Sequence, residues 1–161
     1  MSTKANTTLP TISQVREAFK DWHSSNGAGS SLATLYIYRQ LQRELGRTPR
    51  HTANQLLLTA FEQMRQRELP EADFLQRRFL DDASIGQLAQ HYSVAESTIY
   101  TMQREALERA TEAVRELEIQ ARAAQRERLW RRLGAPAYGE LVGVQPHIEH
   151  LLSRLREAQP P

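Results

Sequence analysis

Apolar residues in this chain recur three or four positions apart and almost never alternate with polar ones, so the pattern predicts helices and no sheet. Thr11 with Gln14 reads as a capping box opening a first helix, whose apolar side carries Val15, Ala18, Phe19 and Trp22. Ser24 to Ser31, rich in serine and glycine, is a loop. A second helix is expected from about Leu32 to Leu45, with Leu35, Tyr38, Leu41 and Leu45 on one stripe and Gly46 as its stop. Thr48-Pro49 supplies an N-cap and a first-turn proline for a third helix to about Glu68, burying Leu57, Ala60, Phe61 and Met64. Pro70 opens a fourth, to about Leu80.

From Glu96 to Leu133 there is neither glycine nor proline, and strong helix formers dominate. Leu107, Ala110, Val114, Leu117, Ala121 and Ala124 alternate steps of three and four, a coiled-coil-like seam. That seam has two candidate partners: the chain's own N-terminal helices, or a second copy in a homodimer through Leu107, Val114 and Leu117. Alanine permits close approach but buries little area, so a dimer held by this seam alone would be weak. Gly134 to Gly143 reads as a linker, and Pro146 opens a last helix with Ile148, Leu151, Leu152 and Leu155. The pattern divides the chain into an N-terminal helical subdomain (1–69), a helix-turn-helix with a long C-terminal helix (70–133), and a linker with a short helix (134–161).

The residues from Ile85 to Arg104 carry the helix-turn-helix pattern. Ala89 is the small residue where two helices cross closely. Ser93 stands where the turn needs a left-handed backbone, and Val94 plugs the turn. Ile99 and Met102 are the inward positions of the second helix, and Ile85 and Leu88 those of the first. Ser84 with Gln87 forms a capping box. Phe74, Leu75 and Phe79 on the preceding helix supply a third wall. Serine in place of the usual turn glycine costs about 1 kcal/mol if its backbone is left-handed. Ala95, at the cap of the second helix, forfeits roughly another 1 kcal/mol relative to serine or threonine.

Residues 71–110 resemble the C-terminal promoter-reading domain (region four) of bacterial sigma factors. The match lies in Leu75, Arg78, Phe79, Ser84, Leu88, Ala89, Val94, Thr98, Ile99, Arg104, Ala106 and Leu107. The resemblance implies an all-α helical bundle containing a helix-turn-helix with a long, extended last helix, and a DNA-reading role in transcription regulation. A second stretch, from Leu129 to Leu152, resembles the segment just upstream of the P-loop in signal-transducing (STAND-type) ATPases. It implies either that the chain is the N-terminal portion of a larger ATPase or that the segment is an orphan. No Gly-x-x-x-x-Gly-Lys occurs in the chain, so the phosphate cradle itself is missing.

If the second helix enters the major groove, its outward face presents Glu96, Ser97, Tyr100, Thr101, Gln103 and Arg104, with Thr98 beside them. Arginine reads guanine and glutamine reads adenine bidentately, and glutamate accepts from cytosine. Arg77 and Arg78, with Arg39, Arg43, Arg47 and Arg50, are candidate phosphate contacts. Charge opposes this reading. The chain's net charge is only +2, and residues 70–110 hold four basic against seven acidic side chains. DNA affinity rests largely on phosphate neutralisation, so an acidic motif favours the alternative, a protein-interaction module that keeps the helix-turn-helix as scaffold.

Catalytic chemistry is not expected. Cysteine is absent, which removes disulfides and thiolate metal sites. His147 and His150 are three apart but lack a third ligand, so no metal is assigned. No nucleophile elbow or phosphate loop appears, and no cofactor or small-molecule substrate is expected. The polar N-terminus and the lack of membrane-length apolar runs point to a cytoplasmic chain with no membrane partner, and the helix-turn-helix resemblance implies double-stranded DNA as partner.

Overall fold

The computed structural model describes residues 9–24 and 29–133. Among them the chain is all-α, with six α-helices and no strand. These are α1 (Ile12–Lys20, continued by a 3₁₀ turn over Asp21–His23), α2 (Tyr36–Leu45), α3 (Pro49–Gln66), α4 (Glu71–Leu75, continued by a π turn over Gln76–Leu80), α5 (Ile85–Tyr92) and α6 (Glu96–Leu133). Part of the expected loop falls on residues 25–28. The expected linker and last helix, the histidine pair and most of the ATPase-like stretch fall on 134–161. Both segments lie outside the described residues.

Helix starts follow the capping chemistry of the sequence. The Thr11 hydroxyl accepts from the Gln14 amide while the Gln14 side chain accepts from the Thr11 amide, and Ser84 and Gln87 repeat the arrangement on α5. Thr48 caps α3 ahead of Pro49. Gly46 ends α2 at φ 57°. Three other helix ends put a non-glycine residue in the left-handed region, each followed by an apolar residue that turns inward: Glu68 before Leu69, Asp82 before Ala83, Ser93 before Val94. In all three the apolar residue's amide closes a wide turn, Leu69 onto the Met64 carbonyl and Val94 onto the Ala89 carbonyl at 3.0 Å, and Ala83 onto the Arg77 carbonyl at 2.9 Å.

The second helix is shorter than expected. Leu32 to Leu35 form a turn instead, yet Leu32 and Leu35 are fully buried, so burial of the segment does not need helix. Leu45, expected on the inner stripe, is 38% exposed in the last turn of α2. Leu35 has no capping side chain, and the start of α2 is capped instead by a distant residue. Glu118 of α6 is fully buried and accepts from the Tyr36 amide at 3.0 Å and the Ile37 amide at 2.9 Å. Arg122, one turn on, donates to the same carboxylate at 2.5 Å.

The chain divides into two compact units, Met1–Gln125 and Arg126–Pro161; the described part of the second is the end of α6, where Leu129, Trp130 and Leu133 are exposed. Within the first unit one core runs from Val15 to Leu117. The boundary expected at residue 69 does not separate two cores: Phe19 of α1 stacks on Phe79 with ring centroids 5.0 Å apart and tilts against Phe61 of α3 at 5.5 Å. The seam of α6 is internal, because Leu107, Ala110, Val114 and Leu117 are all buried in this core. Leu107, Val114 and Leu117, the residues expected at a dimer contact, are thus buried within one copy. Ala121 is half-buried and Ala124 exposed.

Candidate nucleic-acid interface

The site is built from three helices that share one corner of the core. Phe74, Leu75 and Phe79 form one wall, Leu88 the second, and Ile99, Ala106 and Leu107 the third, all buried. Ala89, Val94 and Met102 pack partly buried against them. Ser93 sits at φ 55°, ψ 43°, the left-handed conformation that reverses the chain between α5 and α6. Ala95 directly precedes α6, and its carbonyl accepts from the Thr98 and Ile99 amides. Its methyl side chain offers no cap.

With Ile99, Met102 and Ala106 turned inward, helical periodicity leaves Ser97, Tyr100, Thr101 and Arg104 as one outward stripe. All four are exposed, Tyr100 by 58%. Arg104 makes no hydrogen bond or ion pair among the described residues. Thr98 is also exposed but lies off the stripe, on the flank of Glu105. Arg77 is exposed and borders a shallow pocket with Gln87 and His91 of α5.

Two expected site residues are engaged elsewhere. Arg78 donates from Nη1 to the Ala83 carbonyl at 3.1 Å and from Nε to the Gln103 side-chain oxygen at 3.2 Å. Its guanidinium also lies 5.4 Å from the Phe79 ring centroid. Arg78 thus ties the loop before α5 to α6 through Nε and Nη1, while Gln103 accepts the Nε bond and faces away from the outward stripe. The periodicity put Gln103 near the stripe's edge, and nothing local in the sequence announced its partner.

The α2 arginines, Arg39 and Arg43, lie away from the stripe. Ile37 and Leu41 of α2 share a groove with Leu117, Ala121 and Ala124 of α6. At 1.5 Å per residue that contact begins about 20 Å along the helix from Arg104. Arg39 and Arg43 belong to α2 and donate to backbone carbonyls of Ala33 and Arg39, and Arg50 is held by the Trp22 carbonyl at 3.1 Å. Around the motif the exposed acids are Asp73, Asp81, Asp82, Glu96, Glu105 and Glu108. Arg109 does not offset them freely, because it pairs with Glu112 at 3.0 Å and faces Glu71 at 4.0 Å, contacts that raise its pKa.

Among the described residues no group of three or more histidine, aspartate or glutamate side chains is placed to hold a metal ion. Nor is any helix there long and apolar enough to cross a membrane. No protein-family model, curated protein or solved structure matches the chain.

Proposed function

We propose that the chain reads double-stranded DNA through the first turns of α6, with Ser97, Tyr100, Thr101 and Arg104 facing base edges in the major groove. The observation that carries this is the stripe itself: four polar or aromatic side chains, all exposed, on a helix whose other side is locked into the core. From Ser97 to Arg104 the stripe spans about 10 Å of helix axis, a length that faces roughly three base pairs. Arg104 can pair bidentately with guanine, the two hydroxyls can bond either base edge, and the Tyr100 ring can pack on a thymine methyl. Ser93 and Val94 hold this helix clear of α5, which supports presentation of the stripe to a groove.

Phosphate contacts are few. Arg77 and Arg104 are the cations near the motif that no partner in the described chain engages. With Arg104 committed to a base edge, Arg77 is left for phosphate, and one phosphate neutralised gives a log–log salt slope of about −1 and correspondingly weak binding by one copy. The test is fluorescence anisotropy with a randomised duplex pool at low ionic strength. Binding with that shallow slope is expected, and Arg104→Ala should cost about 1–3 kcal/mol on a selected site. Absence of binding by a folded protein would overturn the proposal.

One observation favours a second reading. The exposed acids around the stripe outnumber the free arginines, a surface that suits a basic protein better than a polyanion. On that reading the helix-turn-helix is scaffold for a protein contact, and the anisotropy assay separates the two.

A further inference from the structure

Away from the helix-turn-helix, the end of α1, its 3₁₀ turn and the first turns of α3 form a cavity of about 120 Å³. Ala18 and Ala53, both buried, give it two methyl groups, and Ser24 and Ser30 lie at its half-buried side. The rest of the lining is Asp21, Arg50 and Asn54. One carbonyl fixes two of these: Trp22 accepts from Arg50 Nε at 3.1 Å and from Asn54 Nδ2 at 3.4 Å. Arg50 Nη1 and Nη2 and the Asn54 side-chain oxygen then have no partner among the described residues. The Asp21 carboxylate has none either, so a cation and an anion line one small cavity without pairing with each other. Asp21 is exposed and Arg50 and Asn54 are half-buried, so a solute reaches all three.

We infer that this cavity binds a free α-amino acid with a small side chain. The two Nη groups of Arg50 form a fork that matches a carboxylate. An ammonium carries three donors and no acceptor, which suits the Asp21 carboxylate and the Asn54 oxygen together. A zwitterion with both groups on one carbon therefore bridges the two charges, whereas a simple acid or amine satisfies only one. Size sets the side chain. At about 30 Å³ per molecule the cavity has room for about four waters, which a ligand of roughly six heavy atoms replaces. It is too small for the drug-sized molecules that need about 300 Å³ or more. Between the methyls of Ala18 and Ala53 a hydrogen or a methyl fits, and a branched aliphatic chain does not. The site lies on α1 and α3 and stands independently of the DNA-reading proposal.

The test is an NMR titration of the full chain with L-alanine, following the Ala18 and Ala53 methyls and the Asn54 side-chain amide. Propionate and ethylamine each carry one half of the charge pair, L-leucine tests size, and sodium chloride controls for salt. Saturable shifts at all three residues are expected with L-alanine. Propionate and ethylamine should bind roughly fivefold more weakly, as loss of one partly exposed charge contact implies, and L-leucine should produce no shift there. The Asp21 carboxylate bonds nothing in the chain, so Asp21→Asn leaves the fold intact. It should weaken L-alanine about fivefold and leave propionate unchanged. Arg50→Lys loses the fork and should weaken both; if that variant fails to fold, Asp21→Asn decides. No saturable shift in the folded protein, shifts reproduced by sodium chloride, propionate or ethylamine binding as tightly as L-alanine, or L-alanine binding unchanged in Asp21→Asn would each overturn the inference.

Discussion

Glu118→Ala is the most informative structural perturbation, because one buried carboxylate joins α6 to the start of α2. Glu118 is fully buried and holds the Tyr36 and Ile37 amides at 3.0 and 2.9 Å, the two donors that begin a helix whose own cap position, Leu35, has no side-chain oxygen to offer. A hydrogen bond to a charged acceptor contributes about 1.5–3 kcal/mol, and removing one partner of a buried charge pair costs about 3–5 kcal/mol. Tyr36 and Ile37 are half-buried, so water reaches part of the vacated space, and the expected loss is about 3 kcal/mol, towards the lower end. Glu118→Gln keeps one carbonyl acceptor but turns an amide donor on the other N–H, and should lose about 2 kcal/mol. Arg122 is partly exposed, but Arg122→Ala leaves the Glu118 carboxylate buried without its counter-charge, so it should cost about 2 kcal/mol even with both backbone bonds intact. Urea denaturation followed by circular dichroism gives the order, and hydrogen exchange at the Tyr36 and Ile37 amides localises it. A Glu118→Ala variant within about 0.5 kcal/mol of the parent would refute the cap, since surface substitutions stay within that range.

Other outcomes follow from the same geometry. Ser93→Gly should stabilise by about 0.5–1 kcal/mol in denaturant titration, by relieving the left-handed serine; a loss would mean that the serine side chain compensates its own strain. Ala95→Ser should add about 0.5–1 kcal/mol, since a hydroxyl there can accept from an amide in the first turn of α6, and no gain would place the helix start elsewhere. Leu117→Asp should unfold the chain rather than yield a folded monomer, because Leu117 is buried inside one copy, and a folded variant by sedimentation and circular dichroism would contradict the internal seam. Arg67 bonds Glu116 through both guanidinium nitrogens, at 3.1 and 2.5 Å, and holds the Glu116 pKa below its ordinary value. A depressed carboxylate contributes stability above its unfolded pKa and loses it as pH falls through the folded one. Arg67→Ala should therefore raise the Glu116 midpoint in an NMR titration and abolish that small acid-side slope; an unmoved midpoint would show that the pair does not persist in solution.

The elements most legible in the sequence were those whose determinants are local. Capping boxes at Thr11 and Ser84, the Thr48-Pro49 start and the Gly46 stop each involve residues within one turn, and α6 begins where the run of helix formers begins. The left-handed Ser93 followed from its place in the turn pattern. What escaped depends on residues distant in sequence. Glu118 sits among exposed-looking charges of a helix, and only the fold places it under α2, more than eighty residues back. Arg78 matched a DNA-contacting pattern, yet its environment is set by Gln103, on another helix, and by the Ala83 carbonyl. Periodicity located the outward stripe correctly for Ser97, Tyr100, Thr101 and Arg104, because a helix with one buried side has one free side. It did not reveal which nearby side chains the fold had already engaged.

The measurement that bears most directly on the DNA-reading claim is an amide NMR titration of the full chain with a duplex selected from the randomised pool. The account predicts shifts concentrated at Ser97, Tyr100, Thr101 and Arg104, with smaller ones near Arg77 and little change at Arg78, Gln103 or the α2 arginines. Arg104→Ala should erase the sequence preference while leaving the chain folded. Shifts centred on α2, or no shift on α6 at duplex concentrations where anisotropy reports binding, would contradict it.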